Sequence, residues 1–185
     1  RDTDRSRGLG DVYKRQDQKR ILSLLHNSIH TNLTDTALFF SLSETDWFKL
    51  MKIAKQQSVL GLCLDGFDSL KVNEALPPRN ILIKWIGNVM TLENVYEKQK
   101  ISIKELSSFF SKHCLRMVLM KGYGISKYYP VAKHRGCGDL DIYFCGKGKY
   151  ADELIKDKGI EVKQNEEKHS VYNFNGIHIE NHASI

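Results

Sequence analysis

Residues 115–145 read LRMVLMKGYGISKYYPVAKHRGCGDLDIYFC, and this stretch decides the fold. It opens with an apolar run, Leu115 and then Met117 to Met120, short enough for a buried strand. Lys121-Gly122 follows, then a small-and-aromatic segment, Tyr123 to Tyr129, whose length suits two helical turns. Pro130 stops it, because the ring removes a backbone donor and disfavours helix in the residue before it. A basic, glycine-containing loop leads to Asp139-Leu140-Asp141-Ile142-Tyr143-Phe144. Side chains on a strand alternate faces, so Asp139 and Asp141 point the same way while Leu140, Ile142 and Phe144 make the opposite face apolar. Two like charges side by side on a half-buried strand are unfavourable unless something positive stands between them. A divalent cation is the usual remedy, and oxygen ligands suit magnesium. A lone Asp-x-Asp would also fit a solvated strand edge; the strand and Gly-started helix just before this one favour a built site.

The rest of the chain sets bounds on that reading. With 185 residues, 41% hydrophobic and 27% charged, the composition is that of an ordinary globular protein, one domain or one domain with a helical appendage. No apolar run approaches the ~20 residues of a membrane span, and the beginning of the chain has no signal-peptide core. Cys63, Cys114, Cys137 and Cys145 show no Cys-x-x-Cys pairing, so neither a zinc knuckle nor a disulfide framework is indicated. Reduced thiols in a bacterial cytoplasm are the expectation. Residues 1–16, RDTDRSRGLGDVYKRQ, have no hydrophobic period and are dense in Arg and Asp. They resemble translated adapter sequence from assembled environmental DNA and are expected to be a non-native scar. They carry five of the 28 Lys/Arg and three of the 22 acidic residues, so the formal charge of +6 falls to +4 without them. That is weak support for nucleic-acid binding.

Residues 17–113 have a helical pattern. Asp17 is expected to cap a helix with Ile21, Leu24, Leu25 and Ile29 on one face. Ser43 precedes Trp47, Leu50, Met51 and Ala54, spaced i, i+3, i+4, i+7, with Asp46 early in the turn where it complements the helix dipole. Val59 to Leu70 reads as a buried helix. Pro77-Pro78 begins a long one, with Ile81, Trp85, Val89, Leu92 and Tyr96 on one side and Leu106, Phe109 and Phe110 further along. The aromatic stripe reads as core packing against the sheet rather than a ligand surface. After Phe144, Tyr150 to Lys158 forms an amphipathic helix closed by Gly159. Ile160 to Val162 reads as a short strand and Lys163 to Lys168 as a polar connection. Ser170 to Phe174 and Ile177 to His182 flank Asn175-Gly176, the strongest short-range signal for a two-residue hairpin turn.

Strand, Gly-started helix, then Asp-x-Asp on the next strand resembles the layout of the DNA polymerase beta-like nucleotidyltransferases. More closely, Leu119-Met120-Lys121-Gly122, the Tyr128-Tyr129-Pro130 stop and Arg135-x-x-Gly138-Asp139-Leu140-Asp141 resemble an uncharacterised bacterial nucleotidyltransferase family with an LKG, YP, RxxGDxD pattern. The resemblance covers most of residues 42–185, though only the part after Leu115 has specific motifs. It implies an α+β fold: a helical N-terminal region, residues 17–113, packed on a polymerase beta-like core with a small mixed sheet, residues 114–185. Members of the resembled family continue well past this point, so that core is expected to be C-terminally incomplete, a fragment.

The implied activity is an NMP transfer from an NTP to a hydroxyl-bearing acceptor (small molecule, protein or RNA), dependent on Mg2+ in a two-ion site. Asp139 and Asp141 would hold the ions. The resemblance asks for a third acid on a neighbouring strand, and Glu180, in the Ile177 to His182 arm, is the candidate. Gly122 permits close approach of backbone to phosphate, with a helix N-terminus behind it. The wider superfamily has Gly-Ser or Gly-Gly at this turn; here it is Lys121-Gly122-Tyr123-Gly124, so Lys121 or Ser126 would replace the serine contact. Arg135 would neutralise triphosphate, or anchor its loop by an ion pair. His134 and His182 suggest a metal pair, but magnesium does not favour imidazole and the pair is set aside. The alternative function is a catalytically weak nucleotide-binding or regulatory module. An RNA-binding domain fits less well, since the aromatics fall on core stripes rather than among exposed Lys and Arg.

Overall fold

A computed structural model of the chain describes residues 3–30, 36–71, 75–165 and 169–184. The chain divides into two compact units, Arg1–Thr91 and Leu92–Ile185. The fold is α+β. Helices α1 (Thr3–Ile29), α2 (Glu44–Gln56), α3 (Leu60–Asp65) and α4 (Asp68–Lys71) come first, and the long α5 (Arg79–Lys112) runs through the boundary. Among the described residues, no helix is long and apolar enough to cross a membrane.

In the first unit the expected helices form, with two differences. Asp17 is not a cap: α1 begins upstream of it, and Asp17 is buried inside the helix, its carboxylate paired with Arg20 at 3.1 Å and with Lys49 of α2. Capping chemistry alone does not reveal that a partner on another helix will claim the same carboxylate. The expected helix over residues 59–70 is broken into α3 and α4 at Gly66-Phe67. A Cβ on Gly66 would lie 2.2 Å from the Leu24 carbonyl oxygen, so the chain bends where α1 passes against bare backbone. Ser43 does cap α2 in a reciprocal box, its hydroxyl accepting from Asp46 N–H while the Asp46 carboxylate accepts from Ser43 N–H. Phe39, Trp47, Phe67 and Trp85 stack into the unit's core, and the Trp85 indole donates to the Leu60 carbonyl at 3.0 Å. Of the aromatic stripe expected to pack on the sheet, Trp85 lies in this helical core instead.

The second unit is a five-stranded mixed sheet in the order β1-β2-β5-β4-β3. Its strands are β1 (Val118–Leu119), β2 (Leu140–Tyr143), β3 (Lys163–Asn165), β4 (His169–Phe174) and β5 (Ile177–His182). β2 and β5 are parallel, and all other pairs are antiparallel. The one-turn helix α6 (Tyr123–Ser126) and the helix α7 (Gly148–Asp157) connect them. One face of the sheet carries Leu140 and Ile142 of β2, Ile177 and Ile179 of β5 and Tyr172 of β4. These pack with Leu106 and Phe110 of α5 and Leu154 and Ile155 of α7 in one core. Burying such side chains stabilises by roughly 1.5–3 kcal/mol each, so this face fixes the register.

Element bounds differ from the sequence expectation in three places. The run from Leu115 pairs only from Val118, because the residues before it close α5, with Leu115 N–H donating to the Phe110 carbonyl. Tyr123 to Tyr129 gives one helical turn rather than two. The strand expected at Ile160 to Val162 lies at Lys163–Asn165 instead, since Ile160 and Val162 turn their side chains against the core. The rest of the polar connection expected up to Lys168, residues 166–168, lies outside the described residues. The Asn175-Gly176 hairpin forms as expected, with both residues at positive φ, 53° and 79°.

Candidate functional site

The polar face of the sheet gathers the acids. Parallel pairing sets Leu140 beside Ile179 and therefore Asp141 beside Glu180. With a side-chain period of two, the register that buries Ile142 and Ile179 forces Asp141, Glu180 and His182 onto the opposite face. Ligand atoms of Asp141, Glu180 and His182 all lie within 4.8 Å of one another. His182 Nε2 is 2.8 Å from Asp141 Oδ1 and 3.5 Å from Glu180 Oε2. Lys121 leaves β1 directly beside this group, since Met120 N–H donates to the Asp141 carbonyl. Its Nζ reaches the same Asp141 Oδ1 at 3.0 Å.

Asp141 is only 7% exposed. Burial pushes its carboxyl up, but the hydrogen bonds from Lys121 and His182 and their charges outweigh it and hold the pKa below the ordinary range. Lys121 is held above its ordinary value by its hydrogen bond to Asp141 and by that charge, with Glu180 and Asp139 adding to the effect.

The other expected site residues fall in different places. Asp139 stands one residue before β2, half-buried and outside the group of three. Gly122 has φ 45° and ψ −112°, a conformation that disfavours any side chain; a Cβ there would be 3.5 Å from the Asp139 carbonyl oxygen and 4.0 Å from Arg135 Nη1. The turn therefore runs against the start of the acid strand. Arg135 donates to the Gly136 carbonyl and the Cys137 sulfur, lies over the Tyr129 ring, and keeps a buried Nε with no partner among the described residues. Ser126 is not brought to the site. It is wholly buried, and its hydroxyl donates to the Tyr123 carbonyl at 2.7 Å. His134 is held by Glu93 at 2.9 Å, while His182 joins the acids, so the imidazole set aside on metal preference stands in the ligand group.

Two supporting sets were missed in the sequence. On α5, Glu93, Tyr96 and Gln99 lie at i, i+3, i+6 and pin the loop that leads into β2. Glu93 binds Lys133 and His134, Tyr96 stacks on Tyr123 with ring centroids 4.6 Å apart, and Gln99 donates to the Cys137 carbonyl. Behind the sheet, Asn181 donates to Asp152 Oδ1 at 2.8 Å and to the Gly148 carbonyl at 3.0 Å, and Ser170 donates to the same Asp152 oxygen at 2.7 Å. This network ties β5 to α7 between Glu180 and His182. Its only signal in the sequence is a polar residue at a position where Ile177 and Ile179 predict an apolar one.

The site thus sets a glycine turn after the first strand, an acid on the next strand and a second acid opposite it on a parallel neighbour. The model of the family described as uncharacterised nucleotidyltransferase matches residues 43–185, and the chain belongs to that family. No curated protein matches the chain, and no solved structure does.

The donor set fits a divalent cation. Two carboxylates and an imidazole converge on one point, and a positively charged group, the Lys121 ammonium, already bonds there.

Proposed function

We propose that this protein moves an NMP group from an NTP to a hydroxyl-bearing acceptor at the Asp141–Glu180 face, with Mg2+ held by Asp141 and Glu180 beside His182, and with Asp139, one residue before β2, as the further carboxylate of the site. Membership of a nucleotidyltransferase family supports NMP transfer in general; the Asp141–Glu180 pairing in parallel register carries the assignment of the site. When bound, the cation supplies charge neutralisation for the phosphates and lowers the pKa of an attacking hydroxyl. The chain's own residues do the rest. Glu180 takes the proton of the acceptor hydroxyl, whose oxygen bonds to the α-phosphorus as the bond to the β-phosphate bridging oxygen breaks. Pyrophosphate leaves with that electron pair. Lys121 and Arg135 offset the negative charge on the phosphates, and the Arg135 Nε, buried without a partner among the described residues, supports that role. Gly122 lets the phosphates approach backbone that a Cβ would obstruct.

The second reading is a nucleotide-binding module with weak catalysis. The burial of Ser126 favours it, because the hydroxyl that would replace the superfamily's serine is bonded inward, away from the turn's open side. One experiment separates the two. The protein is incubated with α-labelled NTPs, Mg2+ and a panel of small-molecule, protein and RNA acceptors, and label transfer and pyrophosphate release are measured beside a thermal-shift titration with Mg-ATP. Metal-dependent labelling supports the transferase. Saturable stabilisation without labelling supports the module, and no response of either kind rejects both.

A further inference from the structure

We propose that Lys121 is a built-in counter-ion of the acid cluster, exchanged for the metal ion when nucleotide loads and then delivered to the triphosphate. The proposal rests on the reading of Asp141 and Glu180 as metal ligands. The argument begins at one atom. Asp141 Oδ1 accepts from Lys121 Nζ at 3.0 Å and from His182 Nε2 at 2.8 Å. A carboxylate oxygen has two lone pairs, so Oδ1 has no room for a third partner. A cation that ligates this oxygen must displace one of the two donors.

Mobility decides which one leaves. The His182 ring is 16% exposed on a strand whose register is fixed from behind, whereas the Lys121 side chain is 63% exposed on a flexible four-carbon stem. Lys121 also sits in the residue before Gly122, the position with φ 45°. It can swing without disturbing the sheet. Its charge has a purpose while it stays: Asp141 is nearly buried beside Glu180, and two carboxylates so placed repel unless a cation lies between them. The ammonium thus offsets the charge of the two acids and holds Asp141 in position. Once displaced, the freed lysine lies beside the Gly122 turn, where the phosphates would lie.

The test uses the full chain, with Lys121→Met to remove the charge and Lys121→Arg to restore it. Mn2+ binding without nucleotide is followed by the electron paramagnetic resonance signal of free Mn2+, and Mg-ATP binding by calorimetry. Lys121→Met is expected to bind Mn2+ about tenfold more tightly and Mg-ATP about tenfold more weakly, with Lys121→Arg near wild type in both. Mn2+ affinity in Lys121→Met equal to or weaker than wild type overturns the counter-ion role. Tighter Mn2+ with unchanged Mg-ATP overturns the delivery step. On the unaltered protein, saturating Mg2+ should raise the acylation rate of Lys121 relative to the other lysines, read by mass spectrometry; an unchanged rate at bound metal also overturns the exchange. If metal binds and Lys121 responds as expected while no NTP binds, the nucleotidyl-transfer reading fails and the counter-ion stands.

Discussion

The two faces of β5 are built on opposite terms. Behind, Ile177, Ile179 and Asn181 are buried, and every one is fixed by packing or by the Asp152 network. In front, His178, Glu180 and His182 are partly or fully exposed, and Glu180 and His182 crowd against Asp141. The back face gains free energy by leaving water. The front face carries like charges that cost it, and persists because the back face leaves the strand no other register. Stability and chemistry are thereby separated by a single alternation of side chains.

The largest break in that division should come from the front. Asp141→Asn is expected to lower transfer by about 10³-fold, because it takes a carboxylate from the proposed metal site and removes the partner of His182. Far-ultraviolet circular dichroism should stay unchanged, and retained turnover would remove Asp141 from the site. A cut from behind should do the reverse. Ile179→Ala, at a position with no exposure, is expected to cost about 2–5 kcal/mol in denaturant unfolding while the folded fraction keeps its metal affinity. Loss of metal binding at unchanged stability would show the faces to be coupled. Ser170→Ala removes one of the donors to Asp152 and should cost about 1 kcal/mol by the same measurement.

The smallest effect is one of pH. Burial pushes Glu93 up, but its bonds to His134 and Lys133 hold its pKa below the usual value near 4.5. A carboxyl depressed by folding lends stability that is complete above the unfolded pKa and is lost as pH falls through the folded one. Glu93→Gln should therefore flatten the acid limb of a stability-against-pH curve below pH 4.5 and leave the neutral region nearly untouched. An unaltered acid limb would show that the Glu93 bonds contribute nothing to folding.

What was legible in the sequence follows the same division. Leu140, Ile142 and Phe144 announce a half-buried strand by period alone, and Asn175-Gly176 announces its hairpin, so the back of the sheet can be read locally. The front cannot. That Glu180 would stand opposite Asp141 depends on a parallel pairing that no local pattern encodes; its place on the polar face of its strand and the family resemblance made it a candidate. His182 was discounted on metal preference, a chemical argument that says nothing about register. Ser126 was offered only as a replacement for the superfamily's serine; the short α6 turns it inward instead. Glu93 and Gln99 were silent because a polar residue on a long helix reads as solvated until its partner loop is known.

The parallel join between β2 and β5 also governs when the site comes into existence. Asp141 and His182 are 41 positions apart, and their strands meet only after α7 and the β3–β4 segment have been threaded between them. Hairpins close in microseconds, whereas contacts across long loops bear the entropy of closure first and form more slowly. The β4–β5 hairpin can assemble by itself, yet it holds Glu180 and His182 without Asp141. The acid cluster is therefore a late product of folding, and a cation bound there would report that the central pairing of the sheet is complete.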